Sequence, residues 1–313
     1  MKKVLVTGAK GQLGHKIRQM FEVGTSDLGL GTWVDSQNPK PESQNLNPHL
    51  ILTDADTMDI TDKLQVHKVI KSERPDFIIH GAAYTAVDKA EDNVDLCRQV
   101  NALGTKNIAE TAKEFNIPLI YISTDYVFDG KKKSPYTETD VANPLSIYGQ
   151  TKFEGENFIR ETCDKYYIIR SAWIFGELPE GHTGTNFVET MLRLAQEKDS
   201  LNIVNDQIGS PTYTGDLVEI IKKLCTENCV LRTVSYGTYH FSGTGECSWY
   251  NFAQEIFKQE NITIKLNPIT SDQYPQKAKR PNYSYMDKSK IETVLDIKVR
   301  PWQKMLAEYL GNR

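Results

Sequence analysis

The chain has 313 residues, of which 39% are hydrophobic and 25% are charged, and this is the composition of a globular protein. Its 41 acidic and 37 basic residues leave a net charge of −4, which argues against nucleic-acid binding because such proteins normally carry a basic excess. The five scattered cysteines form no disulfide or metal-ligand pattern, and no apolar run is long enough to span a membrane. We therefore expect a cytoplasmic protein without a metal site or membrane partner.

The first half of the chain alternates short apolar runs with helix-like segments. A buried strand is predicted at residues 4–6, and a glycine loop and a helix follow at about 11–21. Further strands are predicted at 50–53, 77–80 and 119–122, and a helix at about 101–115. This rhythm predicts an α/β fold with a doubly wound, Rossmann-like parallel sheet, followed by a smaller C-terminal α/β domain.

The glycine loop that follows the first strand has the spacing of a dinucleotide-binding motif. Its glycines fall as G-x-x-G-x-x-G between a strand and a helix. Glycine lets the backbone approach a pyrophosphate, and the helix N-terminus presents a positive dipole to it. The candidate cofactor-binding residues of this loop are Gly8, Lys10, Gly11, Gln12, Leu13 and Gly14.

An acidic residue at the end of the second strand is expected to bind the adenosine ribose. Asp54 occupies this position, and Asp59 and Ile60 follow it as residues that would flank the adenine. Because no Arg or Lys directly follows Asp54, the pattern favours NADH, whereas Lys10 offers a partner for the phosphate of NADPH. Both cofactors therefore remain open.

Two regions of unusual composition bear on the domain organisation. Residues 24–48 are rich in Gly, Ser, Asn and Pro, which predicts a surface insertion, with a functional lid as the alternative. Glycine, proline and aromatic residues become frequent after Tyr167. We therefore predict an NAD(P)-binding domain at 1–167 and a substrate domain at 168–313, with elements of the latter able to return to the first sheet.

A hydroxyl, a phenol and an ammonium form the candidate catalytic set. Tyr148 and Lys152 lie at i and i+4 on one helix face, where the ammonium is expected to lower the pKa of the phenol. Thr124 follows the strand at 119–122, and ligands of doubly wound sheets bind at the carboxyl ends of the strands. Such a set suits proton transfer during reduction of a carbonyl group.

Together these residues resemble the extended short-chain dehydrogenase/reductase family. More narrowly, segments 82–91, 123–130, 148–152 and 205–212 and the motif Arg280-Pro281-x-x-Ser284 resemble the dTDP-4-dehydrorhamnose reductases. The matching blocks run from residue 4 to about residue 290. The octapeptide Ser-Thr-Asp-Tyr-Val-Phe-Asp-Gly at 123–130 is far more specific than the glycine motif.

The resemblance implies roles at the matching positions. Thr124 would hydrogen-bond the substrate carbonyl, Tyr148 would protonate it, and Lys152 would hold the nicotinamide ribose and tune Tyr148. The further residues implied at the cofactor are Ala82, Ala83, Tyr84 and Asn101, the last supporting Lys152 through water. The residues implied at the sugar or its diphosphate are Val87, Asp125, Tyr126, Trp173, Asn186, Gln207 and Arg280.

The implied activity is NAD(P)H-dependent reduction of the C4 keto group of dTDP-4-dehydro-6-deoxy-L-mannose to dTDP-L-rhamnose, for surface polysaccharide. One alternative is a reductase of another nucleotide-linked 4-keto-6-deoxy sugar. The other is a non-catalytic subunit resembling the regulatory subunit of methionine adenosyltransferase, and the presence of Thr124, Tyr148 and Lys152 argues against it. Asp125-Tyr126 argues against a dehydratase, which usually has Asp-Glu there. The sequence leaves monomer and homodimer open.

Overall fold

The computed structural model describes residues 2–22, 48–181, 185–230 and 234–313, with the backbone alone for 226–230. The insertion predicted at 24–48 lies outside these residues, apart from Pro48. The strands are β1 (Lys3–Thr7), β2 (His49–Thr53), β3 (Phe77–His80), β4 (Leu119–Thr124), β5 (Tyr166–Ser171), β6 (Ile174–Phe175), β7 (Ser200–Val204), β8 (Ile208–Gly209), β9 (Thr212–Tyr213), β10 (Gly237–Phe241), β11 (Cys247–Ser248) and β12 (Lys265–Ile269).

The helices within the same ranges include two short ones before the central α5. They are α1 (Gln12–Glu22), α2 (Lys63–Glu73), α3 (Val87–Ala90), α4 (Val94–Arg98), α5 (Thr105–Glu114), α6 (Ile147–Thr162), α7 (Phe187–Glu197), α8 (Thr214–Val230), α9 (Trp249–Gln259), α10 (Ser289–Leu295) and α11 (Trp302–Gly311). A π-helical segment at Gln99–Gly104 precedes α5, so the helix predicted at 101–115 begins later than expected. None of the described helices is both long and apolar enough to cross a membrane.

A six-stranded parallel sheet forms the centre of the molecule. Its strand order is β10-β5-β4-β3-β1-β2, and each neighbouring pair is parallel. The order reverses between β1 and β3, and this is the switch point at which ligands of such sheets bind. The predicted doubly wound parallel sheet is confirmed.

The sheet is covered on both faces, which explains its nearly continuous apolar strands. Val4 and Val6 pack into the core that contains α1 and α8, whereas Leu5 packs into the core that contains α2, α5 and α6. Val4, Leu5 and Val6 are at most 2% exposed. Because the described helices cover both faces, a ligand of this sheet is expected at the carboxyl ends of the strands.

The C-terminal part of the chain forms small sheets and helices around the same core. β7 pairs with β12, β6 with β9, and β8 with β11. The buried aromatic residues Phe252 of α9 and Trp302 of α11 belong to the core shared with α1 and α8. β10 lies in the central sheet, and the boundary predicted between residues 167 and 168 falls inside β5. The division into two domains stays a prediction.

Substitution of Gly243 tests how tightly α11 packs against this core. A Cβ placed on Gly243 would lie 2.6 Å from the Cβ of Trp302 and 2.8 Å from the carbonyl oxygen of Pro211. We expect Gly243→Ala to lower the free energy of unfolding by about 1–3 kcal/mol through overpacking, as measured by urea denaturation. Gly311→Ala is the control, because a Cβ there meets nothing within 4 Å. Equal stability of the two variants would contradict the tight docking.

Candidate active site

The glycine loop joins β1 to α1 in a conformation that requires glycine. Gly8 has a φ of +74°, and a Cβ there would lie 2.9 Å from the Cα of Ala82. A Cβ on Gly14 would lie 2.5 Å from the carbonyl oxygen of Gly8. The first turn of α1 carries no acidic side chain, so its positive dipole faces the cavity uncompensated. The loop therefore fits a dinucleotide pyrophosphate.

Asp54 lies directly after β2, beside this loop. Its carboxylate accepts a hydrogen bond of 2.8 Å from the backbone N–H of Lys10, and burial raises its pKa. The ammonium of Lys10 pairs with the exposed Asp56. Asp54 thus lines the cavity beside the glycine loop, and its role toward a ribose stays a prediction, while Lys10 already has an acidic partner.

The N-terminus of α6 sets the position of Tyr148. The hydroxyl of Ser146 caps the helix by accepting a bond of 3.2 Å from the N–H of Gly149. A Cβ on Gly149 would collide with the carbonyl oxygen of Tyr126, so glycine lets the helix start close to the segment that follows β4. Tyr148 consequently lies in the first turn, with its ring 5.8 Å from that of Tyr126 in an edge-to-face contact.

The structure reverses the expected pKa shift of Tyr148. Desolvation by the surrounding protein raises the pKa of its phenol, and this effect outweighs a hydrogen bond with Thr124 that lowers it. The side chain of Tyr148 is still partly exposed to the cavity. At neutral pH the phenol is therefore protonated, which is the state that a proton donor requires.

Lys152 lies one turn further along α6 and is only 3% exposed. Its Nζ donates a hydrogen bond of 2.7 Å to the carbonyl oxygen of Ile122 and lies 4.1 Å from the centre of the Tyr121 ring. Burial lowers the pKa of Lys152 to about 7, whereas the carboxylate of Glu156 favours the charged form. The ammonium is thus held at the end of β4.

Thr124 and Asp125 complete the end of β4. The hydroxyl of Thr124 accepts a bond of 3.2 Å from the N–H of Tyr126 and donates one of 3.2 Å to Asp125. Asp125 also accepts a bond of 2.6 Å from the hydroxyl of Ser284, and burial raises its pKa to about 6. The Thr124 hydroxyl is therefore oriented by its neighbours on both sides.

These side chains open onto one cavity of about 790 Å³ that contains most of the predicted site residues. Of the residues predicted at the cofactor alone, those that line it are Gly8, Gly11, Gln12, Leu13, Gly14, Asp54, Asp59, Ile60, Ala82 and Ala83. The other predicted residues that line it are Val87, Thr124, Asp125, Tyr126, Tyr148, Lys152 and Trp173. This volume lies within the usual range of cofactor and small-molecule sites.

Six predicted residues are absent from the cavity lining, namely Lys10, Tyr84, Asn101, Asn186, Gln207 and Arg280. Asn101 accepts a bond of 2.7 Å from the N–H of Tyr84 and donates one of 3.2 Å to Thr151. These contacts order the loop after β3. The water-mediated support of Lys152 stays a prediction.

The three residues predicted at the diphosphate make contacts within the protein. Asn186 caps α7 by accepting a bond of 3.0 Å from the N–H of Glu189, and Gln207 donates a bond of 2.9 Å to Ser271. Arg280 pairs with Asp88, at 2.7 Å between Nη2 and Oδ2. Their roles toward a substrate stay predictions.

The sequence analysis missed several residues that line the cavity, among them Trp249, and it missed the buried Glu156 next to Lys152. Trp249 lines the cavity and stacks on Trp173 with 3.7 Å between ring centroids, and Trp173 itself has a φ of +47°. No local pattern marks Trp249, because it begins a helix far along the chain. Glu156 lies buried one turn beyond Lys152, and the same helical spacing that linked Tyr148 to Lys152 would have indicated it.

Comparison with known proteins shows the family to which the chain belongs. The family model described as "RmlD substrate binding domain" matches residues 1–313. A dTDP-4-dehydrorhamnose reductase of Aggregatibacter actinomycetemcomitans is 40% identical, over 98% of this chain and 97% of its own. The chain belongs to the dTDP-4-dehydrorhamnose reductase family.

Solved structures of this family share the fold. A dTDP-4-dehydrorhamnose reductase from Clostridium acetobutylicum is 40% identical, covers 99% of this chain and 98% of its own, and superimposes with a TM-score of 0.85. The Bacillus anthracis protein of the same name, solved in complex with NADP, is 36% identical over the full length of both chains, also with a TM-score of 0.85. Among the described residues, no group of three or more His, Cys, Asp or Glu side chains could hold a metal ion.

The raised pKa of Asp125 predicts a pH-dependent contribution to stability. A carboxyl with a folded pKa of about 6 stabilises the fold below about pH 4, and this contribution is lost as the pH rises through 6. Asp125→Asn should therefore gain stability relative to the wild type between pH 4 and 7, by about 3 kcal/mol. Urea denaturation at several pH values measures this, with the surface variant Asp95→Asn as control. Parallel curves for wild type and Asp125→Asn would contradict the prediction.

Proposed function

We propose that this protein reduces the C4 keto group of dTDP-4-dehydro-6-deoxy-L-mannose to dTDP-L-rhamnose with NADPH or NADH, in the synthesis of surface polysaccharide. The observation that carries the proposal is the meeting of Thr124, Tyr148 and Lys152 with the glycine loop in one cavity. Because the proposed substrate is a charged nucleotide sugar, we assign the reaction to the cytoplasm.

The residues of the chain have distinct tasks in this reaction. Bound NADPH or NADH supplies a hydride to the C4 carbon. The protonated phenol of Tyr148 gives its proton to the keto oxygen, so that hydride and proton together convert the carbonyl to an alcohol. Thr124 donates a hydrogen bond to the same oxygen. Lys152 holds the nicotinamide ribose, and its positive charge stabilises the phenolate that Tyr148 becomes until solvent protonates it again.

The second candidate is the reduction of a different nucleotide-linked 4-keto-6-deoxy sugar. A relative named dTDP-4-keto-6-deoxy-D-glucose reductase, from Streptomyces niveus, is 30% identical over 97% of this chain and 95% of its own. The same catalytic set serves either sugar, since both reactions add a hydride and a proton to a C4 carbonyl. The orientation of the sugar ring in the cavity would determine which of the two sugars is reduced.

A direct assay tests the proposed function. The purified protein is mixed with NADPH or NADH and each of the two 4-keto sugars, and loss of reduced-nicotinamide absorbance is followed. We expect oxidation that depends on dTDP-4-dehydro-6-deoxy-L-mannose, with dTDP-L-rhamnose identified by chromatography against a standard. Turnover with dTDP-4-keto-6-deoxy-D-glucose alone would select the second candidate. Cofactor binding without turnover of either sugar would favour the non-catalytic subunit.

Replacement of Tyr148 tests the proton donor. Tyr148→Phe should retain cofactor affinity and lose about 10²–10⁴-fold in kcat, because it removes the acidic proton and keeps the ring. Tyr166→Phe is the control, because Tyr166 begins β5 and does not line the cavity. If Tyr148→Phe turned over at the wild-type rate, another group would donate the proton.

A further inference from the structure

A buried carboxylate lies directly behind the catalytic set. Glu156 is on the same face of α6 as Tyr148 and Lys152, one turn beyond Lys152, and its side chain is fully buried. A charge at such a site is costly unless it is paired and hydrogen-bonded. The hydrogen-bond partners of Glu156 therefore indicate its role.

Glu156 connects α6 to two strands of the central sheet. Arg170 of β5 donates to both carboxylate oxygens, at 2.9 Å from Nε and 2.7 Å from Nη2, and is itself 3% exposed at its side chain. The hydroxyl of Ser123 in β4 donates a bond of 2.5 Å, and Arg160 donates another of 2.5 Å. Three of these four hydrogen bonds come from β4 and β5, and the fourth comes from Arg160 on α6 itself.

The same stretch of β4 contacts each functional residue of α6. Ile122 accepts the hydrogen bond of Lys152, Ser123 binds Glu156, and Thr124 hydrogen-bonds Tyr148. A shift of α6 along its axis would break all three contacts together. The carboxylate of Glu156 thus fixes the axial position of the helix that carries the proton donor.

Glu156 also acts on the charge of Lys152. The other titratable groups that face Lys152 are His80 of β3, Tyr121 of β4, Cys97 of α4 and Tyr148. Burial lowers the pKa of His80 to about 3, so it is neutral at physiological pH, and burial raises the pKa values of Tyr121, Cys97 and Tyr148. Among these groups, Glu156 is therefore the one that is charged at neutral pH.

We propose that Glu156 is a positioning residue of the reductase, which keeps Lys152 charged and holds the end of β4 in register with α6. The inference rests on the proposed function for its catalytic meaning. The effect of Glu156 on cofactor binding can be measured without the sugar, and so independently of that function. A charged Lys152 donates to the hydroxyls of the nicotinamide ribose, whereas a neutral one is a weaker donor. Cofactor affinity should therefore fall above the pKa of Lys152.

The test compares neutral variants of two glutamates on α6. NADPH dissociation constants of the wild type, of Glu156→Gln and of the control Glu154→Gln are measured by fluorescence titration from about pH 5 to 9, which brackets the pKa of Lys152 of about 7 and the lowered value. Glu154 pairs with Arg98 at the surface of the same helix. We expect the pH midpoint for loss of affinity to fall by about one unit in Glu156→Gln and to stay at the wild-type value in Glu154→Gln. With the sugar present, the alkaline limb of kcat/KM should shift equally.

A second variant separates this effect from folding. Glu156→Gln leaves Arg170 buried without its partner, so Glu156→Gln/Arg170→Met is measured in parallel, with folding checked by circular dichroism. The double variant should show the same lowered midpoint, because the charge that favours the Lys152 ammonium is still absent. An unshifted midpoint in the folded variants, or loss of folding in both, would assign Glu156 a purely structural role and overturn the proposal. Absence of sugar turnover with an intact NADPH titration would overturn only the proposed function.

Discussion

The position of α6 against the end of β4 is the constraint on which the site depends. Lys152 donates to the carbonyl of Ile122, and Glu156, paired with Arg170, accepts from Ser123. Burying two opposite charges is tolerated only with good geometry and further hydrogen bonds, and both are present here. The buried pair fixes the position of α6. This matters because the phenol of Tyr148 has to lie within hydrogen-bonding distance of a reacting oxygen.

Contacts from distant parts of the chain complete the cavity. Ser284 donates to Asp125 across 159 positions of sequence. Trp249 stacks on Trp173, whose backbone lies in the left-handed region, a conformation that a bulky residue adopts only when its surroundings hold it there. The C-terminal part of the chain therefore shapes the same cavity as the glycine loop and α6.

Most strands and helices of the first half of the chain, and the candidate catalytic residues, were predictable from local patterns. The bounds of β3 agree with the strand predicted at 77–80 to the residue, because its apolar run is sharply delimited. The start predicted for the helix at 101–115 was wrong. The segment Gln99–Gly104 is π-helical, and the regular helix α5 begins only at Thr105, a distinction that the sequence pattern does not show. The sign of the pKa shift of Tyr148 was also wrong, because spacing reveals a neighbouring charge but not the loss of solvent around the phenol.

The sequence by itself determined the parallel α/β architecture, the glycine loop, and the presence of a hydroxyl, a phenol and an ammonium for carbonyl reduction. These are encoded over short stretches, where periodicity, turn chemistry and one-turn spacing act. Only the tertiary structure decided which predicted residues share a cavity, that Arg280 pairs with Asp88, and that Glu156 lies buried behind Lys152. Desolvation and long-range pairing depend on the summed packing of the whole chain, and no local pattern specifies them.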